Sequence, residues 1–158
     1  NHKNLIVIRS LTKLFAIAGL RLGYAISNTQ RLNQWQSLRD PWPLNEVAIA
    51  LGSMLMSNQV LLERQVKKVK AWVIKEGQWL HSNLCKLPGI IAHPSSTNFQ
   101  LIQSNQSLVS LREAMANQGI LLRDCQSFKG LGENWLRISL QTKENNQRII
   151  TEMKEILS

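Results

Sequence analysis

One short segment near the N-terminus constrains the fold and the chemistry of this chain more than any other. Residues 5–8 are an unbroken Leu-Ile-Val-Ile run, a composition that suits a strand buried on both faces of a parallel sheet. The polar string Arg9-Ser-Leu-Thr-Lys13 follows directly. Open α/β sheets bind their ligands at the C-terminal ends of strands. The pattern therefore predicts a ligand site beginning at Arg9.

Four side chains in and after this string have suitable chemistry. Ser10 and Thr12 supply hydroxyl donors, and Arg21 supplies a planar guanidinium that matches a phosphate. Lys13 supplies an amine, which can form a Schiff base with a carbonyl compound. This combination predicts a site for an anion and an amine-reactive group. Taken singly, Lys13 could also be an ordinary surface lysine and Arg21 a structural ion-pair partner.

The whole string, residues 10–24, reads Ser-x-x-Lys-x-x-x-x-Ala-Gly-Leu-Arg-Leu-Gly-Tyr. It closely resembles the lysine segment of pyridoxal-phosphate enzymes of the aspartate aminotransferase fold. The resemblance implies that Lys13 is the catalytic residue and carries pyridoxal 5'-phosphate as an internal aldimine. It also implies that Ser10, Thr12 and Arg21 contact the cofactor phosphate.

The same resemblance implies an α/β fold with two parts. We expect residues 1–62 to form the C-terminal part of the large cofactor-binding domain, and residues 63–158 to form a small α+β domain that includes a long interdomain helix. Periodicity and capping signals predict the elements. The predicted strands are 21–26, 89–93, 98–102, 119–123 and 135–140, and the predicted helices are 28–38, 45–57, 60–87, 107–118 and 143–157.

Two arginines in the C-terminal half lie in or beside apolar, strand-like segments. Arg123 follows Ile120-Leu-Leu, and Arg137 lies within Trp135-Leu-Arg-Ile-Ser-Leu. Because arginine is rarely buried without a partner, we expect both guanidinium groups to face a carboxylate, a phosphate or solvent. A structural salt bridge is the alternative. The resemblance implies that Arg137 holds a substrate α-carboxylate and that Arg123 helps bind an anionic substrate.

The finer pattern resembles one branch of these enzymes. The lysine segment and the string Asp40-Pro-Trp-Pro-Leu-Asn45 look most like threonine-phosphate decarboxylases of cobalamin biosynthesis. This implies a lyase that decarboxylates L-threonine O-3-phosphate through the Lys13 aldimine. A histidinol-phosphate-type aminotransferase, which shares most of these residues, is the alternative. A second alternative is the aminotransferase-like domain of a transcription regulator.

The formal net charge of +9 raises the possibility of a nucleic-acid partner. Five basic residues fall in the predicted helix 60–87, where apolar residues recur at three- and four-residue spacing, so we interpret them as its solvated face: Arg64, Lys67, Lys68, Lys70 and Lys75. No zinc-finger or helix-turn-helix pattern accompanies them. We therefore expect no nucleic-acid partner, whereas a basic surface suits a phosphorylated amino-acid substrate.

Cysteine spacing and the length of apolar segments limit the remaining functional classes. Cys85 and Cys125 are widely separated and lack histidine partners at ligand spacing, so we expect no metal site. No segment approaches the roughly 18 apolar residues of a membrane span, and we expect a cytoplasmic enzyme with no membrane partner. Members of the resembled family are usually homodimers, which the resemblance implies for the full-length protein.

The position of Lys13 indicates that part of the active site is missing. In the resembled family the lysine falls past the middle of a much longer chain, and this chain begins without methionine. We therefore expect a C-terminal fragment. The acid on the pyridine nitrogen and the stacking ring would lie upstream, so we expect the isolated fragment to bind cofactor weakly and to be inactive.

Overall fold

The computed structural model describes residue 2 and residues 4–158. The chain divides into two compact units, Asn1–Val69 and Lys70–Ser158, here called the first and second unit. The division falls within a long helix, Gln59–Leu84. The boundary expected between residues 62 and 63 also falls within this helix.

The first unit combines one hairpin with helices. Its elements in chain order are β1 (Val7–Ser10), a 3-10 helix (Ala18–Leu20), β2 (Gly23–Ile26), α1 (Thr29–Gln36), α2 (Glu46–Ser57) and the start of α3 (Gln59–Leu84). Two of these helices begin where the sequence predicts. Asn28 Oδ1 accepts from Arg31 N at 2.9 Å, and Asn45 Oδ1 accepts from Ala48 N at 2.8 Å. Both asparagines therefore act as N-caps that satisfy a free backbone donor.

The first strand differs from the expectation in both position and pairing. It covers Val7–Ser10 instead of residues 5–8, and it pairs antiparallel with β2 in a two-stranded sheet. It is not buried on both faces, because Ile8 is 75% exposed. The chain turns back after Ser10, so β2 returns alongside β1 in the opposite direction. An apolar run does not encode strand direction, which explains the wrong prediction of a parallel strand.

The second unit is a helix-covered antiparallel sheet. It contains the rest of α3, then β3 (Ile91–His93), β4 (Phe99–Gln103), α4 (Val109–Asn117), β5 (Arg123–Asp124), β6 (Trp135–Ser139) and α5 (Lys143–Leu157). The sheet order is β3-β4-β6-β5, and each neighbouring pair is antiparallel. The α5 bounds are those predicted, and Thr142 Oγ1 caps it by accepting from Asn145 N at 3.4 Å.

The predicted strand 119–123 is mostly absent. Only Arg123 and Asp124 pair with β6. The preceding backbone instead closes α4, because Gly119 N donates to Ala116 O and Ile120 N donates to Met115 O, at 2.8 and 2.9 Å. Backbone donors used to end a helix are not available to a sheet, so the strand begins later than the apolar pattern suggests.

Side chains along the central strands β4 and β6 alternate between a buried face and an accessible face of the sheet. Gln100, Ile102, Leu136 and Ile138 are buried, whereas their neighbours in β4 and β6 are not. The buried face packs with residues of all three helices of the unit, including Leu80, Met115 and Met153. The other face carries the polar and aromatic side chains of the same strands.

The basic residues of α3 are solvent-exposed. Arg64, Lys67, Lys68, Lys70 and Lys75 are all exposed. The predicted solvated face of this helix is therefore confirmed.

Candidate functional site

Lys13 lies on a tight turn between β1 and β2, here called the lysine turn (residues 11–17). Backbone bonds close it, from Phe15 N to Leu11 O at 3.1 Å and from Ile17 N to Thr12 O at 2.9 Å. The Lys13 side chain is exposed. The turn therefore presents its amine at the surface of the first unit, where a ligand can reach it.

The apolar residues around Lys13 explain why the turn adopts this shape. Leu11 and Leu22 are buried with Ala48 in the core of the first unit, and Leu14, Phe15, Ile17, Leu20 and Leu44 pack against them. Leu11 N also donates to Leu22 O at 3.1 Å. Because the apolar neighbours are drawn inward, the polar side chain between them is left outside.

Two hydroxyls lie together beside Lys13. Ser10 Oγ and Thr12 Oγ1 are 2.7 Å apart, with Ser10 exposed and Thr12 only 6% exposed. Each hydroxyl has one proton, so the internal bond uses one O–H and leaves the other free to donate outward. The pair can therefore offer a hydrogen bond to an anion while remaining ordered by its own contact.

Arg21 is held next to the same turn. Arg21 directly precedes Leu22 and Thr12 directly follows Leu11, so the hydrogen bond from Leu11 N to Leu22 O brings the two antiparallel segments side by side. Arg21 Nη1 donates to Ala18 O at 3.3 Å, and the side chain is exposed. The remaining guanidinium N–H groups are available to a phosphate.

The left-handed backbone positions of this region fall on residues other than glycine. Ala16 has φ 55° and Arg21 has φ 53°, which costs a non-glycine residue free energy. Strained backbone of this kind clusters at ligand-binding sites.

The two glycines of the motif differ in the space available for a side chain. A Cβ on Gly23 would lie 2.8 Å from Arg9 O, whereas a Cβ on Gly19 would meet open space.

These side chains fit the implied cofactor. An exposed amine suits an aldehyde, and a hydroxyl pair with a guanidinium suits a phosphate monoester. Pyridoxal 5'-phosphate carries both groups. Ser10, Thr12, Lys13 and Arg21 all lie on the hairpin formed by β1, the lysine turn and β2 or on the segment that joins its strands.

The two other predicted site residues form a pair in the second unit. Arg123 and Arg137 are directly opposite each other in the β5–β6 register, so both side chains leave the sheet on its accessible face. Within the described part of the chain, the one salt bridge joins Arg112 to Asp124 at 3.6 Å. Neither member of the pair therefore has a carboxylate partner there.

Arg137 is also partly shielded from water. Its guanidinium carbon lies 5.1 Å from the centre of the Phe99 ring, within cation–π distance. Its Nε is buried and has no hydrogen-bond partner among the described residues. A buried donor without a partner is costly, so this group is suited to an incoming anion.

The same face carries aromatic residues that sequence reasoning did not single out. His93 stacks on Trp135 with ring centres 4.8 Å apart and planes 21° apart. His93 Nε2 lies 3.2 Å from Gln103 Oε1. The alternation of β4 and β6 places Gln103 and Trp135 on the arginine face, and this period-two pattern was the available signal.

Cys125 lies buried near the arginine pair. Burial raises the pKa of its thiol above the ordinary value of 9.0, Arg137 and Arg123 act to lower it, and Asp124 acts to raise it. Cys85 is exposed, and both cysteines are free. Burial makes Cys125 a packing residue with a weakly reactive thiol.

Metal-binding clusters and membrane-spanning helices are both absent from the described residues. No group of three or more His, Cys, Asp or Glu side chains is arranged to hold a metal ion there. No helix in that part of the chain has both the length and the apolarity to cross a membrane.

Comparisons with known proteins agree with the motif. The histidinol-phosphate aminotransferase of Thermoanaerobacter pseudethanolicus is 35% identical over 155 residues, which are 98% of this chain and 42% of that protein. The threonine-phosphate decarboxylase of Salmonella typhimurium is 28% identical over 153 residues, 96% of this chain and 41% of that protein. The chain thus spans about two-fifths of the length of these relatives.

A solved structure and a family profile extend the comparison. The crystal structure of L-threonine-O-3-phosphate decarboxylase from Porphyromonas gingivalis superposes with a TM-score of 0.86 at 26% identity, covering 99% of this chain and 48% of that one. Residues 1–153 match the profile described as aminotransferase class I and II. The chain therefore belongs to the aminotransferase class I and II family, which has an α/β fold and depends on pyridoxal phosphate.

Proposed function

We propose that the full-length protein is a pyridoxal-phosphate enzyme acting on a phosphorylated amino acid, with Lys13 as its catalytic residue. The observation that carries this proposal is the hairpin on which Lys13 lies exposed beside the 2.7 Å hydroxyl pair of Ser10 and Thr12. When bound, the cofactor supplies an electron sink for the pair of electrons left at the substrate Cα. Lys13 would hold the cofactor and would move a proton at its Nζ.

The other residues of the hairpin would hold the cofactor phosphate. Thr12 and Ser10 would donate one hydrogen bond, and Arg21 would supply the opposite charge. The buried Leu11 and Leu22 on either side keep these groups on a fixed backbone. We propose that residues 1–62 belong to the large cofactor-binding domain and residues 63–158 to the small α+β domain.

For the substrate, we propose L-threonine O-3-phosphate and loss of its carboxylate as carbon dioxide. This substrate carries two anionic groups, a carboxylate and a phosphate. Arg123 and Arg137 present two guanidinium groups side by side without a carboxylate partner in the described part of the chain. Two adjacent cations are better matched by a doubly anionic substrate than by a singly anionic one.

Histidinol-phosphate transamination is the second candidate. A histidinol-phosphate aminotransferase is 35% identical to this chain. The amino-group donor or the amino-group acceptor of this transamination would also bring carboxylates to Arg123 and Arg137. Both candidates use the same lysine and the same cofactor, so the reaction must be decided by assay.

The cofactor assignment can be tested on the full-length protein. Borohydride reduction followed by peptide mapping should place a pyridoxyl label on Lys13. Lys13→Ala should lose the label, and the matched control Lys67→Ala, an exposed lysine on α3, should keep it. A label that persists in Lys13→Ala, or that maps to another lysine, would show that Lys13 is not the catalytic residue.

A second assay separates the two reactions. Carbon dioxide release from L-threonine O-3-phosphate would support the decarboxylase. Turnover of histidinol phosphate that depends on 2-oxoglutarate, without carbon dioxide release, would contradict it and support the aminotransferase.

A further inference from the structure

A glutamine from α3 anchors the backbone next to Lys13. Gln65 Nε2 donates to Leu14 O at 2.8 Å, across 51 residues of sequence. Both residues belong to the first unit, and Gln65 is half-buried. The accepting carbonyl belongs to the residue that directly follows Lys13.

The Leu14 carbonyl accepts a hydrogen bond from outside the lysine turn. The carbonyls of Leu11 and Thr12 accept bonds from Phe15 and Ile17 within the turn itself. Leu14 O instead accepts from a side chain of α3. The turn also holds Ala16 at φ 55°, a conformation that persists only where surrounding contacts enforce it.

Gln65 lies on the long helix α3, which fixes the position of its backbone. α3 runs for 26 residues, Gln59–Leu84, so its backbone is rigid compared with an exposed turn. The bond from Gln65 fixes the peptide plane between Leu14 and Phe15. This plane is one residue from the Lys13 Cα, so it restricts the direction in which the lysine side chain leaves the turn.

We propose that Gln65 is a positioning residue for Lys13, and this inference rests on the proposed function. An exposed lysine has many rotamers, and holding its Cα–Cβ direction raises the fraction of time that Nζ points at the cofactor aldehyde. A neutral amide does this without placing another charge near the amine. Glutamate at this position could not donate, and lysine or arginine would add a positive charge.

The test uses the full-length protein and three variants. Gln65→Met keeps length and volume but removes the donor, and Gln65→Glu replaces the donor with an acceptor. Gln59→Met is the matched control, because Gln59 is exposed on the same helix and its Nε2 donates to the Glu63 carboxylate at 2.9 Å. The measurements are the rate of cofactor capture by apoenzyme, the pH midpoint of the bound-cofactor absorbance, and the unfolding midpoint.

We expect Gln65→Met to capture cofactor about 3- to 10-fold more slowly, the range corresponding to one lost hydrogen bond, and to shift the pH midpoint of the absorbance. Gln65→Glu should be slowed at least as much. Gln59→Met should match wild type in both cofactor measurements. The unfolding midpoint of each variant checks that it is folded at the temperature of the cofactor measurements.

Wild-type capture rates and an unchanged pH midpoint in both Gln65 variants would overturn the proposal. An equal slowing in Gln59→Met would also overturn it, because the effect would then belong to the helix as a whole. If Gln65→Met does not fold, Gln65→Glu provides the same comparison. Failure of the proposed function is distinct, because the wild-type protein itself would then carry no label on Lys13.

Discussion

Arg123 and Arg137 lie directly opposite each other on adjacent antiparallel strands, β5 and β6. Like charges in this arrangement destabilise a sheet. Neither arginine has a carboxylate within ion-pair distance in the described part of the chain, where Asp124 pairs with Arg112. The pair therefore costs folding free energy, and a bound anion would offset this cost.

Arg123→Gln should have opposite effects on stability and on binding. Removing one of two opposed charges should raise the free energy of unfolding by up to about 0.5 kcal/mol, the lower part of the range for cross-strand pairs, because Arg123 is exposed. Substrate affinity should fall about 10- to 100-fold, as expected for a lost charged hydrogen bond. Denaturant unfolding and substrate titration of the full-length protein measure the two effects. Unchanged affinity would contradict a substrate-binding role, and Arg64→Gln, an exposed arginine on α3, is the control.

Removing the hydroxyl pair should weaken cofactor binding. The variant Ser10→Ala with Thr12→Val deletes both hydroxyls and keeps the buried volume of Thr12 nearly constant. We expect the cofactor dissociation constant to rise about tenfold, because a phosphate loses a charge-assisted hydrogen bond. Fluorescence titration of apoenzyme with cofactor measures this. Ser57→Ala, which removes an exposed hydroxyl at the end of α2, should bind as wild type does, and an equal loss in that control would refute the assignment.

Alanine substitutions at Gly19 and Gly23 of the lysine segment should change the free energy of unfolding by different amounts. A Cβ on Gly23 would lie 2.8 Å from Arg9 O, a backbone atom of the paired strand. Gly23→Ala should therefore cost about 1–3 kcal/mol by overpacking. Gly19→Ala meets open space and should be neutral or stabilising by up to about 1 kcal/mol. Urea unfolding compares the two variants, and equal costs would mean that the close approach at Gly23 is unimportant.

The two free thiols should differ in reactivity and in their effect on stability with pH. Burial raises the pKa of Cys125, whereas Cys85 is exposed. Iodoacetamide at about pH 8 should label Cys85 first, because the thiolate is the reactive form. As pH rises above 9.0, the ordinary value for Cys125, the unfolded state releases the proton before the folded state does. Stability should therefore fall in that range, and less so in Cys125→Ser. Equal labelling of both cysteines in folded protein would contradict burial of Cys125.

Local features of the fold were predictable from sequence. Asn28 and Asn45 were placed at helix starts, and α5 begins and ends at the predicted residues, because caps and helical periodicity act within one or two turns. Ser10, Thr12 and Lys13 are neighbours in sequence, so their common location required no knowledge of the fold. The family motif itself was also carried by contiguous residues.

Features that depend on contacts between distant parts of the chain were not predictable from the sequence. The predicted strand 119–123 is shortened because its backbone ends α4. β1 pairs antiparallel with β2 because the lysine turn and the 3-10 helix Ala18–Leu20 bring the chain back alongside β1. The amine, hydroxyls and guanidinium of one segment predicted a site for an anion and an amine-reactive group, and the family resemblance of the same segment implied the cofactor. Only the tertiary structure placed Arg123 opposite Arg137 and Gln65 on the Leu14 carbonyl. Strand register and helix docking depend on contacts between distant residues, which local periodicity does not encode.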